Sequence, residues 1–224
     1  MSDTNQHYSI VLLRHAESYG NVEGFFQGQS DFPLTSRGQK QARALAARWK
    51  EERVIFDQII SSPLIRARET AEILHNELEQ IHTDNPLTLE FNPLWMERDV
   101  GLLAGLHRSE AEQRYPRPEF IHLYQPIGIT GESQWQLYLR AGQAVLDLLQ
   151  RPPGRYLVVS HGGILNMVLF NMLGIVPQAN FHGAHFQFFN SAFTTLTYSP
   201  EVSEWRLVSY NDYAHWPAIG EMAE

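Results

Sequence analysis

The chain has 224 residues, no cysteine and a formal net charge of −8. That length fits one compact domain that needs no disulfide or metal staple, and the missing thiols exclude disulfides, thiolate catalysis and cysteine-based zinc sites. An acidic balance suits neither nucleic acid nor an anionic membrane surface, so an anionic ligand has to meet a local cluster of Arg and His.

Residues 8–13 form a nearly continuous apolar run and predict a strand buried on both faces of a parallel sheet. Residues 36–50 predict a helix: Ala42, Leu45, Ala46 and Trp49 share one face, and Thr35 or Ser36 can cap it. Residues 56–60 are a second buried-strand candidate. A helix is expected over 63–78, with Pro63 in its first turn and Ala67, Ala71, Leu74 and Leu78 as its apolar stripe. Residues 88–91 suit a short strand. Residues 92–131 carry several Pro and Gly and predict a small cap or insertion, with a short helix near 108–114. A further helix is expected over 132–149, through Trp135, Leu139, Leu146 and Leu149. Residues 155–160 predict another strand, followed by His161-Gly162-Gly163 and an apolar helix to 173. Two strands, 187–198 and 204–210, are joined by a turn around Pro200, and residues from 217 on read as a loose tail.

Strands alternate with helices, which argues an α/β fold. The expected architecture is a single three-layer domain over 1–224, with a mostly parallel sheet flanked by helices and a cap around 92–131. The start, MSDTNQHYSIVLL, lacks a basic leader and a long apolar core. No run approaches the ~20 apolar residues of a membrane helix. The expected location is the cytoplasm, with no membrane or nucleic-acid partner.

In open α/β sheets ligands collect at the carboxyl ends of the strands. Three predicted strands end in reactive residues: Arg14-His15-Ala16-Glu17-Ser18, Ser61-Ser62-Pro63 with Arg66 just beyond, and Ser160-His161-Gly162-Gly163. Two histidines and two arginines therefore converge on one rim. Guanidinium forks match phosphate oxygens, helix N-termini add N–H donors, and a neutral imidazole can attack phosphorus and hold the group covalently. Positioned cations are the main catalyst of such a transfer. The leaving alkoxide still needs an acid, and Glu97 offers a carboxyl. Glu17 reads equally well as a structural partner for a nearby donor.

The stretch Leu12-Leu13-Arg14-His15-Ala16-Glu17-Ser18, with Asn21 after it, resembles the signature of the histidine phosphatase superfamily, the phosphoglycerate-mutase-like group. Ordered blocks continue the resemblance over about residues 8–216. They are Gln27-Gly28 through Gln41-Ala42, Ser61 to Ala71, Leu94 to Gly105, Gly131-Glu132-Ser133, Val158 to Gly163, Asn190-Ser191, and Asn211-Asp212 with His215. One departure is Ala16, where the family more often has Gly.

The resemblance implies that His15 is the phosphohistidine nucleophile, that Arg14, Arg66 and His161 bind the phosphoryl group, and that Glu97 is the proton donor. Asn21, Gln27, Gly28 and the Gly162 backbone would help position the phosphate, and Arg98 would contact the substrate. It implies no metal and no cofactor, a small phosphorylated metabolite as substrate, and a possible homodimer. A protonated Glu97 in the first step implies activity at mildly acidic to neutral pH.

The expected reaction is phosphomonoester hydrolysis. Phosphoglycerate mutase is the alternative, since Glu97-Arg98 followed by Gly101 resembles the mutase acid block. Against it, the mutase Arg-Arg-Ser-Tyr stretch is absent. A non-catalytic phosphate-recognition protein is the third reading. Trp95, Phe120, Tyr124 and the Arg108, Arg114 and Arg117 cluster are candidates for the pocket mouth.

Overall fold

A computed structural model describes residues 7–82 and 86–220. Four strands run parallel: β1 (Tyr8–Arg14), β2 (Gln58–Ser61), β3 (Thr88–Phe91) and β4 (Arg155–Ser160). β5 (Phe193–Ser199) pairs antiparallel with β1, and β6 (Glu204–Asp212) antiparallel with β5, so the sheet order is β3-β2-β4-β1-β5-β6. The helices are α1 (Tyr19–Val22), α2 (Ser36–Glu51), α3 (Ile65–Leu78), α4 (Arg108–Arg114), α5 (Gln134–Leu149) and α6 (Gly162–Met172). No helix among the described residues is long and apolar enough to cross a membrane.

Successive side chains of a strand face opposite sides, and the two cores follow that alternation. Ile10, Leu12, Ile60 and Val158 join α5 and α6 in one core; Val11, Leu13, Ile59 and Val159 join α2 and α3 in the other. The chain steps outward through β2 to β3 and then returns to β4 between β2 and β1. Right-handed crossovers in the two directions put helices on both faces. The result is the expected three-layer α/β domain, with the central strands buried on both sides.

The predicted α2 stripe is buried, and Thr35 Oγ1 accepts the Gly38 N–H at 2.9 Å as its cap. A Cβ on Gly38 would lie 2.0 Å from the Glu17 carbonyl oxygen, so this helix can start against the loop after β1 only with glycine there.

Several local expectations need correction. The second strand begins at Gln58; Phe56 lies before it and packs edge-on against Trp49. Pro63 falls outside α3, whose N-cap is Leu64. A residue before proline prefers extended backbone, and the Ser62 N–H still bonds to the Val159 carbonyl, prolonging the strand pairing. On α5 the buried face is Leu137, Ala141, Ala144, Val145 and Leu148, while Leu139 and Leu146 are 54% and 57% exposed. Residues 187–192 are not strand: β5 starts at Phe193 after a turn in which Ser191 has φ +57°. Trp216–Ile219 forms a 3-10 turn rather than a tail, with Trp216 Nε1–H bonded to Ser191 Oγ at 3.0 Å. The first six residues and residues 221–224, parts of the expected start and tail, lie outside the described residues.

Candidate active site

The order β2-β4-β1 brings the three reactive strand ends side by side. His15, Arg66 and His161 are all buried there, and the His15 and His161 ring centroids are 5.1 Å apart. Arg14, His15, Arg66 and Glu97 line one cavity of about 400 Å³, together with Asn21, Gln27, Gly28 and Arg98. Gly162 stands at the start of α6, where its Cβ position would be 3.8 Å from Arg14 Nε.

His15 has a fixed tautomer. Its Nδ1 lies 2.7 Å from the Ala16 carbonyl oxygen, which can only accept, so Nδ1 carries the proton and Nε2 keeps its lone pair. Burial pushes the His15 pKa well below its ordinary value, and Arg66 and Arg14 push it further, against the Ala16 hydrogen bond. The ring is therefore neutral at neutral pH and nucleophilic at Nε2.

Arg66 is buried in the first turn of α3. Its Nε donates to His161 Nδ1 at 3.2 Å, Nη1 to the Ser30 carbonyl at 2.9 Å and Nη2 to the Gly28 carbonyl at 2.7 Å. One N–H on each Nη remains for a ligand. Burial lowers its pKa to about 10, with Glu97 and Asp31 opposing, so it stays cationic at neutral pH. Since His161 Nδ1 accepts from Arg66, its proton sits on Nε2, 2.8 Å from Ser62 Oγ. Arg14 donates from Nη1 to the Phe188 carbonyl at 2.5 Å, and its buried Nε has no partner among the described residues. Burial lowers the Arg14 pKa, with Glu97 opposing.

The Glu97 carboxylate accepts from Arg98 N at 2.8 Å, Gly163 N at 3.0 Å and Ile164 N at 3.1 Å. It thus occupies the N-terminus of α6 and accepts from two of the N–H groups that lack a partner within the helix. A Cβ on Gly163 would meet Glu97 Oε1 at 2.4 Å, which explains the second glycine of the His-Gly-Gly run.

Asn21 Oδ1 takes Ser18 N, Ser18 Oγ and Asn190 Nδ2, and Gln27 Oε1 lies 2.9 Å from Ser18 Oγ. The bonds from Ser18 N and Asn190 Nδ2 orient the Asn21 amide, leaving its N–H₂ as a donor, while the single Ser18 hydroxyl proton can serve only one of the two amide oxygens at a time. Arg98 stacks over the Phe181 ring at 5.2 Å. Glu17 is structural: it accepts from Thr35 Oγ1 at 2.7 Å and Arg37 Nη1 at 2.6 Å.

Of the expected mouth residues, only Arg108 lines this cavity. Trp95 is buried in the core beneath it, and Phe120 and Tyr124 are exposed and point to other rings. The mouth is built instead from Phe25, Phe26, Phe170, Phe181, His182 and His185.

Sequence reasoning also missed three supports. Ser62 meets His161. Arg140 donates to the carbonyls of Leu94, Met96 and Glu97 and pairs with Glu132, pinning the Glu97 loop onto α5. Ser191 N–H reaches the Arg14 and His15 carbonyls, and its Oγ lies 2.9 Å from His215 Nε2. Glu132, Ser191 and His215 all fell in recognisable blocks, so a signal existed without a role attached to it.

Three buried histidines set a pH dependence of stability. His15 and His161 are held well below the ordinary value, mainly by burial with Arg66 next, and His215 is held to about 4, mainly by burial and then Arg48. Below about pH 6.5 the unfolded chain takes up protons that the folded chain refuses, so stability present above that pH drains away as pH falls. Each group contributes up to about 1.4 kcal/mol per pH unit. The melting temperature should therefore drop by several degrees between pH 7 and pH 5, before carboxylates titrate. A melting temperature that is flat over that window contradicts the reading.

A family model of the histidine phosphatase superfamily (branch 1) matches residues 10–213. The "Probable phosphoglycerate mutase GpmB" of Escherichia fergusonii is 31% identical over 222 residues, covering 95% of this chain and 98% of that protein. The "Uncharacterized phosphatase PhoE" of Bacillus subtilis is 28% identical over 207 residues, covering 92% and 96%. Among solved structures, the alpha-ribazole phosphatase from Shigella flexneri superposes with a TM-score of 0.73 at 23% identity, covering 92% of this chain and 96% of that one.

Proposed function

The chain belongs to the histidine phosphatase superfamily, and from that premise we propose that it hydrolyses phosphomonoesters of a small metabolite without a metal, through a phosphohistidine on His15. Named relatives include both a mutase and a phosphatase. The observation that carries hydrolysis over mutation is the mouth of the cavity. Its cations beyond the catalytic cluster are Arg98 and Arg108, each stacked on a phenylalanine ring. A mutase must hold an anionic substrate in two orientations, which calls for more cationic anchors than these two; an aromatic mouth suits the organic part of an ester.

His15 Nε2 attacks phosphorus in line with the ester oxygen. The N–P bond forms as the P–O bond breaks, and the departing alkoxide takes the proton of Glu97. Arg14 and Arg66 balance the charge on the equatorial oxygens. His161, whose Nδ1 accepts from Arg66 and whose Nε2–H is held by Ser62, keeps the Arg66 fork aimed at the cavity. Water then attacks phosphorus, Glu97 takes its proton, and the N–P bond breaks to release orthophosphate and neutral His15.

The test is a panel of phosphomonoesters assayed in EDTA, alongside 3-phosphoglycerate with a bisphosphate primer. EDTA-resistant phosphate release is the expected result. Formation of 2-phosphoglycerate faster than phosphate release assigns the chain to the mutases instead, and turnover that requires added metal sinks the proposal.

Glu97→Gln sharpens the assignment of the acid. An alkyl phosphate needs its leaving oxygen protonated, so its kcat should fall by roughly 10²- to 10⁴-fold. p-Nitrophenyl phosphate, whose phenolate leaves unaided, should lose far less in the phosphorylation step. Equal losses on both substrates in kcat/KM, which reports the phosphorylation step, would remove Glu97 as the acid of that step.

A further inference from the structure

Beside the catalytic cavity lies a second one of about 570 Å³, walled by Leu103, Ala111, Ile121, Ile127 and Ile129 among others. Phe26 and Phe181 belong to both cavities. Arg98, from the catalytic cavity, stands over the Phe181 ring at 5.2 Å, and Arg117, from the second, at 5.7 Å. The Phe181 ring is therefore the partition between the two spaces.

That partition is held in strained backbone. Asn180 and Phe181 have φ +57° and +59°. Asn180 is pinned across the second cavity's wall: its N–H donates to the Ile121 carbonyl at 2.7 Å and its Oδ1 accepts the Ile121 N–H at 3.3 Å. Ile129, a β-branched residue, has φ +71° and is 65% exposed. A β-branched side chain in the left-handed region is a genuine outlier, and at this exposure little burial offsets its strain. Strain of this kind collects at ligand clamps, and here it flanks one apolar cavity on two sides.

Building on the hydrolase reading, we infer that the second cavity takes the apolar organic group of the substrate. The phosphate sits at His15, and the rest of the ester passes Phe26 and Phe181. The substrate class is a phosphomonoester of a long-chain or aromatic alcohol. The volume falls in the range of small-molecule sites, roughly 300–1,000 Å³. The charged residues of this cavity, Glu112, Arg114 and Arg117, are solvent-exposed. Tyr115 and Gln125 are its other polar residues, set against Leu103, Ala111, Ile121, Ile127 and Ile129, so a sugar hydroxyl or second phosphate laid on that aliphatic part would go unpaired at a cost.

n-Alkyl phosphonates from ethyl to octyl carry the headgroup without a cleavable ester bond. They are to be titrated into the protein by calorimetry, and the matching alkyl phosphates assayed for turnover. Affinity should rise on the order of tenfold or more from butyl to octyl, and orthophosphate should compete with every member. With one leaving-group chemistry throughout, the gain in turnover should appear in KM rather than kcat. Ile127→Trp, which fills the cavity, should abolish the chain-length gain, with melting behaviour checked against wild type. Ile129→Asp, at the exposed rim, is a second variant that should weaken octyl binding more than ethyl binding. Affinity that is independent of chain length, or that rises equally in both variants, overturns the inference whatever the turnover. Length-dependent binding without turnover of any ester upholds it and overturns the hydrolase reading.

Discussion

His15→Ala should abolish turnover of every phosphomonoester, by on the order of 10⁴-fold or more in kcat, while the protein still binds orthophosphate. His15 is the one imidazole at the β1 end whose Nδ1–H is fixed on a backbone carbonyl, leaving a bare Nε2 in the cavity. His161 cannot take its place, since it presents its lone pair to Arg66 and its N–H to Ser62. The alanine variant leaves the Arg14 and Arg66 cations in position, so anion binding persists. Two measurements decide the matter. Rapid acid-free quenching with a ³²P-labelled ester should trap label on wild type and none on the variant. Label retained by His15→Ala, or turnover within tenfold of wild type, removes His15 from its assigned role.

Arg66→Ala should combine the largest stability loss with a large catalytic one. The guanidinium is buried, and three of its N–H groups satisfy His161 Nδ1 and the carbonyls of Gly28 and Ser30. Alanine leaves His161 Nδ1 and the Gly28 carbonyl buried with no donor and the Ser30 carbonyl partly so, at about 1–3 kcal/mol for each buried group left unpaired. Removing one member of such a buried charged network typically costs about 3–5 kcal/mol, or roughly 6–20 °C in melting temperature for a chain of this size. Turnover should fall on the order of 10³-fold, since a charge aimed at the transferring group is lost. Arg66→Lys separates the two effects: it keeps the charge but cannot span three acceptors in a plane, so it should recover only part of each loss. A melting temperature within 2 °C of wild type for the alanine variant, to borrow a scale from the same relation, would falsify the structural half of this account.

The Arg and His cluster was legible because it lies at the ends of strands. β1 and β4 are apolar on both faces, their limits are sharp, and the residues that follow them are forced to one edge of the sheet. The cluster's four Arg and His side chains could be placed from topology before any contact was known. What surrounds them was not legible. The mouth residues Phe181, His182 and His185 come from a segment with no periodic pattern, while the aromatic candidates of 92–131 followed composition alone. Trp95 went to the core because a 3-10 turn at Pro93–Trp95 points it inward beneath β4, a direction that strand or helix periodicity cannot supply. The α5 stripe misled for a different reason. Leucines occupy more than one face of that helix, and its buried side is made partly of small alanines that let α6 approach. Ser62 and Arg140 escaped notice because a serine beside a proline and an arginine on a helix have commonplace structural readings, and their partners are far away in sequence.

The pairing of β1 has a consequence for how the molecule is made. Ser9 is registered against Arg155 on one side, and Tyr8 against Tyr198 on the other. Every strand neighbour of the nucleophile's strand thus lies in the final third of the chain. Synthesis proceeds from the N-terminus at about 5–20 residues per second, so this apolar segment waits roughly 10–40 s for both partners to emerge. Long-range parallel pairing is intrinsically slow to form. The ribosome-bound chain therefore carries this apolar strand unpaired until residues 155–199 have emerged, and the loop that bears His15 is set in place only once they pair with it.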